Sequence, residues 1–312
     1  MATPDRTPYL PPALAESVAH WEDDTAAGWV AELSARLARL AERWHLDIGE
    51  PFEPGGVTAW VAPVRQADGT PAVLKIVVPH REARDEAPAL AAWGGLGAPR
   101  LFDAAPEEHA LLMERCVPGT PLGDIDDPET QVDVGAEVLS RLWRAKPPAD
   151  TFEPLTAVAD WFADLVEERR SRFGAGSPID PALTDQAVDL LRRLPRTSQR
   201  QVLLHHDLHP GNVLLDDERG WLAIDPKPQV GDPAFDPVQL VLQSSDPLDD
   251  PDPTRTVRRR VERLAVLLDL DADRLAGWGL ARCIEWAHYE LAHGTRADAA
   301  RHAGRAALFA AV

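Results

Sequence analysis

Apolar residues recur at helical spacing between residues 29 and 45. Val30, Leu33, Leu37, Leu40 and Trp44 share one face, while Arg36, Arg39 and Arg43 lie on others, which predicts an amphipathic helix. Pro51, Pro54, Gly55 and Gly56 then break the chain. Two strand-like runs follow, Val57 to Val64 and Ala72 to Val78, joined by Gln66-Ala67-Asp68-Gly69. Asp-Gly between apolar runs signals a hairpin. Residues 81–93 read as a helix closed by Gly94, Gly95 and Gly97, and Ala110 to Met113 as another strand. Beyond that point helical periodicity dominates, over 130–145, 155–172, 182–194, 234–244, 254–269, 272–293 and 296–311. Three short apolar runs interrupt it: Val202–Leu204, Val213–Leu215 and Trp221–Ile224. The pattern predicts an α+β chain, with a β-rich first third and a mostly helical remainder that carries one small strand cluster. No internal repeat or low-complexity linker is visible. Asp246 to Pro253, acidic and proline-rich, reads as a surface loop.

At 312 residues the chain is long enough for two domains, or one domain with two lobes. No apolar run approaches the ~20 residues that span a bilayer, and Met1 to Pro12 lacks the apolar core of a signal peptide. Cys116 and Cys283 have neither metal-ligand spacing nor a disulfide framework. These features suit a reducing cytoplasm and no membrane partner. The formal net charge is −19, which argues against a nucleic-acid backbone as partner, because phosphate binding needs clustered cations. An acidic surface concentrates cationic small molecules, or it simply confers solubility. Of 32 basic residues only Lys75, Lys146 and Lys227 are lysines, so each surviving lysine marks a place where a planar guanidinium is a poor substitute.

Leu203-Leu204-His205-His206-Asp207-Leu208-His209-Pro210-Gly211-Asn212-Val213 contains the skeleton His-x-Asp-x-x-x-x-Asn between two apolar runs. Asp225 follows Asn212 by thirteen positions, in Ile224-Asp225-Pro226-Lys227. Upstream, Lys75 stands within the apolar strand Val73-Leu74-Lys75-Ile76-Val77-Val78. In this order the set matches the needs of phosphoryl transfer. A nucleoside triphosphate carries several negative charges, so the protein must supply positive charge and alignment. Lys75 suits the α- and β-phosphates of ATP. Asn212 and Asp225 offer the hard oxygen ligands that Mg²⁺ takes. Asp207 suits the carboxylate that accepts a hydrogen bond from the incoming hydroxyl and aligns it.

This arrangement resembles the aminoglycoside phosphotransferase family, whose fold is similar to that of protein kinases. The usual family motif is His-Gly-Asp-x-x-x-x-Asn, so His206 departs from the commoner glycine. Trp221-Leu222-Ala223-Ile224-Asp225-Pro226-Lys227, Gly231-Asp232-Pro233-Ala234-Phe235-Asp236, Asp68-Gly69-Thr70-Pro71-Ala72-Val73-Leu74-Lys75 and Ala91-Ala92-Trp93-Gly94-Gly95 resemble the branch of streptomycin 6-phosphotransferases and hydroxyurea phosphotransferases. The likeness covers about residues 50–300. It implies a protein-kinase-like, two-lobed α+β fold, with residues 1–114 as the small lobe and 115–312 as the larger helical one.

The resemblance also assigns further residues. The strand lysine pairs with a helix glutamate, for which Glu86 is the first candidate and Glu82 the alternative. Gly55 and Gly56 would form the loop over the phosphates, although no full Gly-x-Gly-x-x-Gly is present. Met113 to Val117, including Glu114, would be the hinge that meets the adenine. Glu285 and Trp286, in a late helix, are acceptor candidates. Lys227 would touch phosphate or substrate, or else neutralise Asp225 and Asp232. Asp236 would cap a helix or brace the catalytic loop, and His205 would orient that loop. His206 and His209 lack a third partner for a zinc site. The implied activity is MgATP-dependent phosphorylation of a hydroxyl on a small cationic acceptor, streptomycin-like first, another amino sugar or hydroxyurea second. A catalytically idle nucleotide-binding module is the reading outside enzymology.

Overall fold

A computed structural model describes residues 9–20, 25–81, 84–174 and 176–312. The chain divides into two compact units, Met1–Gly95 with Pro99–Val117, and Leu96–Ala98 with Pro118–Val312. Among the described residues no helix is long and apolar enough to cross a membrane.

The first unit opens with α1 (Pro12–Ala19) and α2 (Thr25–Trp44). A five-stranded antiparallel sheet follows, from β1 (Asp47–Ile48), β2 (Ala59–Arg65), β3 (Pro71–Val77), β4 (Leu101–Ala105) and β5 (Ala110–Glu114), in the order β1-β2-β3-β5-β4. The β2–β3 hairpin turns at Gly69, whose N–H donates to the Gln66 carbonyl at 2.8 Å. Gly69 has φ +89°, a conformation that favours glycine. Leu14, Trp29, Leu33 and Leu40 from the helices form one core with Trp60, Ala62, Leu74, Ile76 and Leu112 from the sheet. The face of α2 read from the sequence is thus the buried one. Between β3 and β4 lies α3 (Glu86–Trp93), shorter than the 81–93 helix expected; Glu82 is outside the described residues. Gly94, at φ +54°, ends it.

The second unit begins with β6 (Pro118–Pro121) and α4 (Pro128–Leu142), α5 (Leu155–Phe173) and α6 (Pro181–Thr197). The strand cluster comprises β7 (Val202–Leu204), β8 (Val213–Asp216), β9 (Gly220–Ala223) and β10 (Gln229–Gly231). These form a three-stranded sheet, β6-β8-β9, and a two-stranded one, β10-β7. The helices α7 (Val238–Gln243), α8 (Pro253–Leu268), α9 (Ala272–His293) and α10 (Arg296–Ala310) complete it. Asp-Pro pairs start several elements. Asp127, Asp180 and Asp252 cap α4, α6 and α8 with their carboxylates, and Pro occupies the next position, where a missing N–H costs nothing. The segment expected as one helix over 234–244 is split: Pro237 separates a 3-10 turn, Pro233–Phe235, from α7. Asp246 to Pro253 contains a further 3-10 turn, Pro247–Asp249.

Candidate active site

In the first unit, β3 places Lys75 between Val61 of β2 and Leu111 of β5. A buried ammonium needs a counter-charge, and Glu86, the first residue of α3, supplies it. Lys75 Nζ donates to both carboxylate oxygens at 2.7 Å. Lys75 is 7% and Glu86 3% exposed. Gly55 adopts φ +79°, and a Cβ there would meet Pro11. Gly56 leaves open space on its Cβ side apart from the Ala59 carbonyl at 3.7 Å. Glu114 closes β5, and its carboxylate accepts from the Arg100 backbone N–H at 3.0 Å.

In the second unit, the loop between β7 and β8 carries His205 to Asn212. Its backbone is fixed by Asp236, which is 1% exposed. Asp236 accepts the His205 N–H at 3.0 Å, the His206 N–H at 2.7 Å and the Trp143 indole N–H at 3.1 Å. Burial pushes its carboxyl up to about 6, against those three donors. Asp236 therefore braces the loop; Pro237 stands between it and α7. Asp232, four residues earlier, accepts from Trp278 and Arg274, both at 2.6 Å, and so anchors the same segment to α9.

His206 has φ +68°. That left-handed conformation is costly for a residue with a Cβ. The ring is held by Gln229 Nε2, which donates to Nδ1 at 2.9 Å, and by Phe235, 4.9 Å away between centroids. Burial keeps this imidazole neutral, well below its ordinary range. His205 is fully buried and donates from Nε2 to the Ile224 carbonyl at 3.0 Å. Burial lowers its pKa to about 4, although the negative charges of Asp207 and Asp225 both work the other way. A neutral, anchored imidazole orients the loop.

The β8–β9 hairpin brings the two expected metal-binding residues together. Val213 pairs with Ala223, and the Ile224 N–H donates to the Asn212 carbonyl at 2.9 Å, so Asp225 follows directly beside Asn212. Asn212 Nδ2 donates to the Asp207 carbonyl at 3.0 Å, which fixes the amide and directs its oxygen the other way. An amide oxygen beside a carboxylate is a donor set that suits Mg²⁺, whose remaining positions are normally waters and phosphate oxygens. Asp225, at φ +58°, is also left-handed. No group of three or more His, Cys, Asp or Glu with metal-binding geometry occurs among the described residues.

The Asp207 carboxylate is engaged at both oxygens. Lys227 Nζ lies 3.2 Å from Oδ2, and Gln239 Nε2 donates to Oδ1 at 3.1 Å. Lys227 thus stands beside the candidate base. Gln239 was not singled out in the sequence. It also lines a cavity of about 460 Å³ together with Leu242, Gln243, Trp286, Tyr289 and Glu290, a size ordinary for small-molecule sites. Arg305 borders the same cavity, but its guanidinium is taken by Asp246.

Trp286 therefore faces this cavity. Glu285 is 5% exposed and lies within the packing, where Arg282 Nη1 is 3.3 Å from Oε2. Arg169 Nη1 stands 3.5 Å from Oε1, an ion pair without hydrogen-bond geometry. Arg282 in turn lies over Trp286 at 4.7 Å. The carboxylate on the cavity wall is Glu290, five residues beyond Glu285 in α9. It lies across Gly294, where any Cβ would overlap Oε2. The sequence offered Glu285, which packing buries, and Glu290 stands on the cavity wall instead.

A family model described as "Aminoglycoside/hydroxyurea antibiotic resistance kinase" matches residues 43–294. Streptomycin 6-kinase of Streptomyces glaucescens is 34% identical over 292 residues, 92% of each chain. Hydroxyurea phosphotransferase of Kitasatospora aureofaciens is 33% identical over 91% of this chain and 81% of its own. The choline kinase of Streptococcus pneumoniae superposes with a TM-score of 0.61 over 90% of this chain and all of that one, at 14% identity, a likeness of fold alone. The fold is α+β and protein-kinase-like, and the chain belongs to the aminoglycoside/hydroxyurea antibiotic resistance kinase family.

Proposed function

We propose that this chain is an ATP-dependent kinase that phosphorylates a hydroxyl of a streptomycin-like aminoglycoside. The observation that carries the reading is the placement of Asp207. Its carboxylate is held by Gln239, which also walls the 460 Å³ cavity. Asp207 does not itself line that cavity; Gln239 joins the two, and a space of that size suits an acceptor much larger than hydroxyurea, which would fill only a fraction of it. Glu290 provides a counter-charge for a cationic acceptor, and Trp286 an aromatic wall. The net charge of −19 favours arrival of such a cation.

In this reading Asp207 accepts the proton of the acceptor hydroxyl. That oxygen forms a bond to the γ-phosphorus as the bond to the ADP oxygen breaks. Asn212 and Asp225 hold Mg²⁺, which neutralises charge on the phosphate oxygens. Lys75, fixed by Glu86, pairs with the α- and β-phosphates. Gly55 and Gly56 cover the phosphates, and the segment around Glu114 meets the adenine. Lys227 steadies Asp207, and Glu285 supports Trp286 through Arg282.

The two curated relatives act, by name, on different acceptors, so the test is a panel. Streptomycin, other amino sugars and hydroxyurea are each incubated with the protein and MgATP, and ADP release is measured. Streptomycin should be turned over fastest. Preference for hydroxyurea would contradict the assignment of acceptor, and MgATP-induced stabilisation with no acceptor turned over would contradict the assignment as a kinase.

A further inference from the structure

The segment that fixes the catalytic loop also reaches the carboxylate itself. Asp232 and Asp236 anchor the loop backbone, and α7 begins directly after them. Gln239, in the first turn of α7, is 8% exposed. Its amide is clamped at both ends. Gln243 Nε2 donates to Gln239 Oε1, and Gln239 Nε2 donates to Asp207 Oδ1 at 3.1 Å. With the oxygen committed to Gln243, the nitrogen must face Asp207. Both glutamines line the cavity that holds Trp286 and Glu290.

We infer that Gln239 is a positioning residue for the transfer reaction: it fixes the rotation of the Asp207 carboxylate from the cavity side, with Gln243 fixing Gln239 behind it. A carboxylate has about four lone-pair sites. Gln239 and Lys227 occupy one on each oxygen, which leaves the others in a set direction for the acceptor hydroxyl. Alignment of this kind carries a large part of the acceleration in phosphoryl transfer. The inference deepens the kinase reading and rests on it.

A double-mutant cycle of Gln239→Met with Asp207→Ala tests it, with two readouts: transfer to streptomycin, and MgATP hydrolysis without an acceptor. Gln239→Met keeps the length of the side chain and removes the donor. It should lower kcat about 10- to 100-fold, the scale of a hydrogen bond to a charged group, with KM for MgATP unchanged. In the Asp207→Ala background it should cost nothing further, because its effect passes through that carboxylate. A purely structural role would instead give additive losses. Gln239→Glu keeps the shape but sets a second acceptor against Oδ1, and should lower kcat at least as far. Wild-type kcat in Gln239→Met, or additivity in the cycle, would overturn the inference. Wild-type protein that hydrolyses MgATP but transfers nothing to streptomycin would sink the acceptor assignment, while the hydrolysis arm still decides the role of Gln239.

Discussion

Lys227 stands with Nζ 3.2 Å from Oδ2 of Asp207, and its backbone N–H donates to the His205 carbonyl at 3.0 Å. One residue thus contacts both the candidate base and the loop that carries it. Lys227→Met should lower kcat about 10- to 100-fold, the scale of a charge-assisted contact. Lys227→Arg should not restore it, because a planar fork does not replace a compact ammonium at a single oxygen. Steady-state kinetics of the two variants check this; full activity of Lys227→Arg would remove the geometric part of the argument.

The Lys75–Glu86 pair separates stability from activity. Each partner is almost fully buried, so removing one leaves the other charge poorly compensated at a cost of about 3–5 kcal/mol. Lys75→Met should therefore lower the unfolding midpoint sharply. Lys75→Met combined with Glu86→Gln should recover much of that loss and none of the activity. Denaturant unfolding run beside the kinase assay distinguishes the two. Recovered activity in the double variant would show that the lysine has no part in phosphate binding.

Asp236 makes a prediction about pH. Its carboxyl titrates at about 6 in the folded chain, raised by burial from an ordinary value of 3.8. Between those values the folded state binds more protons than the unfolded one, so its contribution to stability falls as pH rises. Asp236→Asn cannot titrate. The stability of wild type minus that of the variant should fall by on the order of 3 kcal/mol from pH 4 to pH 6 and then level off. Thermal unfolding across that range measures it, and a flat difference would mean the carboxyl is ionised throughout. The histidines, which pull the other way, cancel in the subtraction.

The left-handed backbone at His206 predicts an order of stability. His206→Ala and His206→Gly both lose the ring packed against Phe235 and the bond from Gln229. Only alanine keeps a Cβ at φ +68°. His206→Gly should be the more stable by about 1 kcal/mol. Equal stability of the two would show that the loop relaxes to another conformation.

Much of this arrangement is legible in the sequence because its cues are local. Lys75 sits in an apolar strand with Glu86 eleven residues on, and β3 and α3 bring the two into contact. Asp207, Asn212 and Asp225 lie on one loop and one short hairpin, whose register follows from two apolar runs. What was not legible depends on packing between distant elements. Gln239 meets Asp207 across 32 positions, and nothing in its neighbourhood marks it. Glu285 and Glu290 share α9, and only the packing around Arg282 and Arg169 buries one and leaves the other on a cavity wall. Four strands escaped: β4 because a register shift between Leu101 and Asp103 breaks its alternation, β1 because two residues carry no period, and β6 and β10 because Pro-Gly-Thr-Pro and Gln-Val-Gly carry no apolar run.

The most direct test is mass spectrometry of streptomycin incubated with MgATP and either wild-type protein or Asp207→Asn. Wild type should add one phosphoryl group to the acceptor, and the variant should do so about 100- to 10,000-fold more slowly while still binding MgATP. An unmodified acceptor with wild-type protein, or equal rates for the two proteins, would contradict the account.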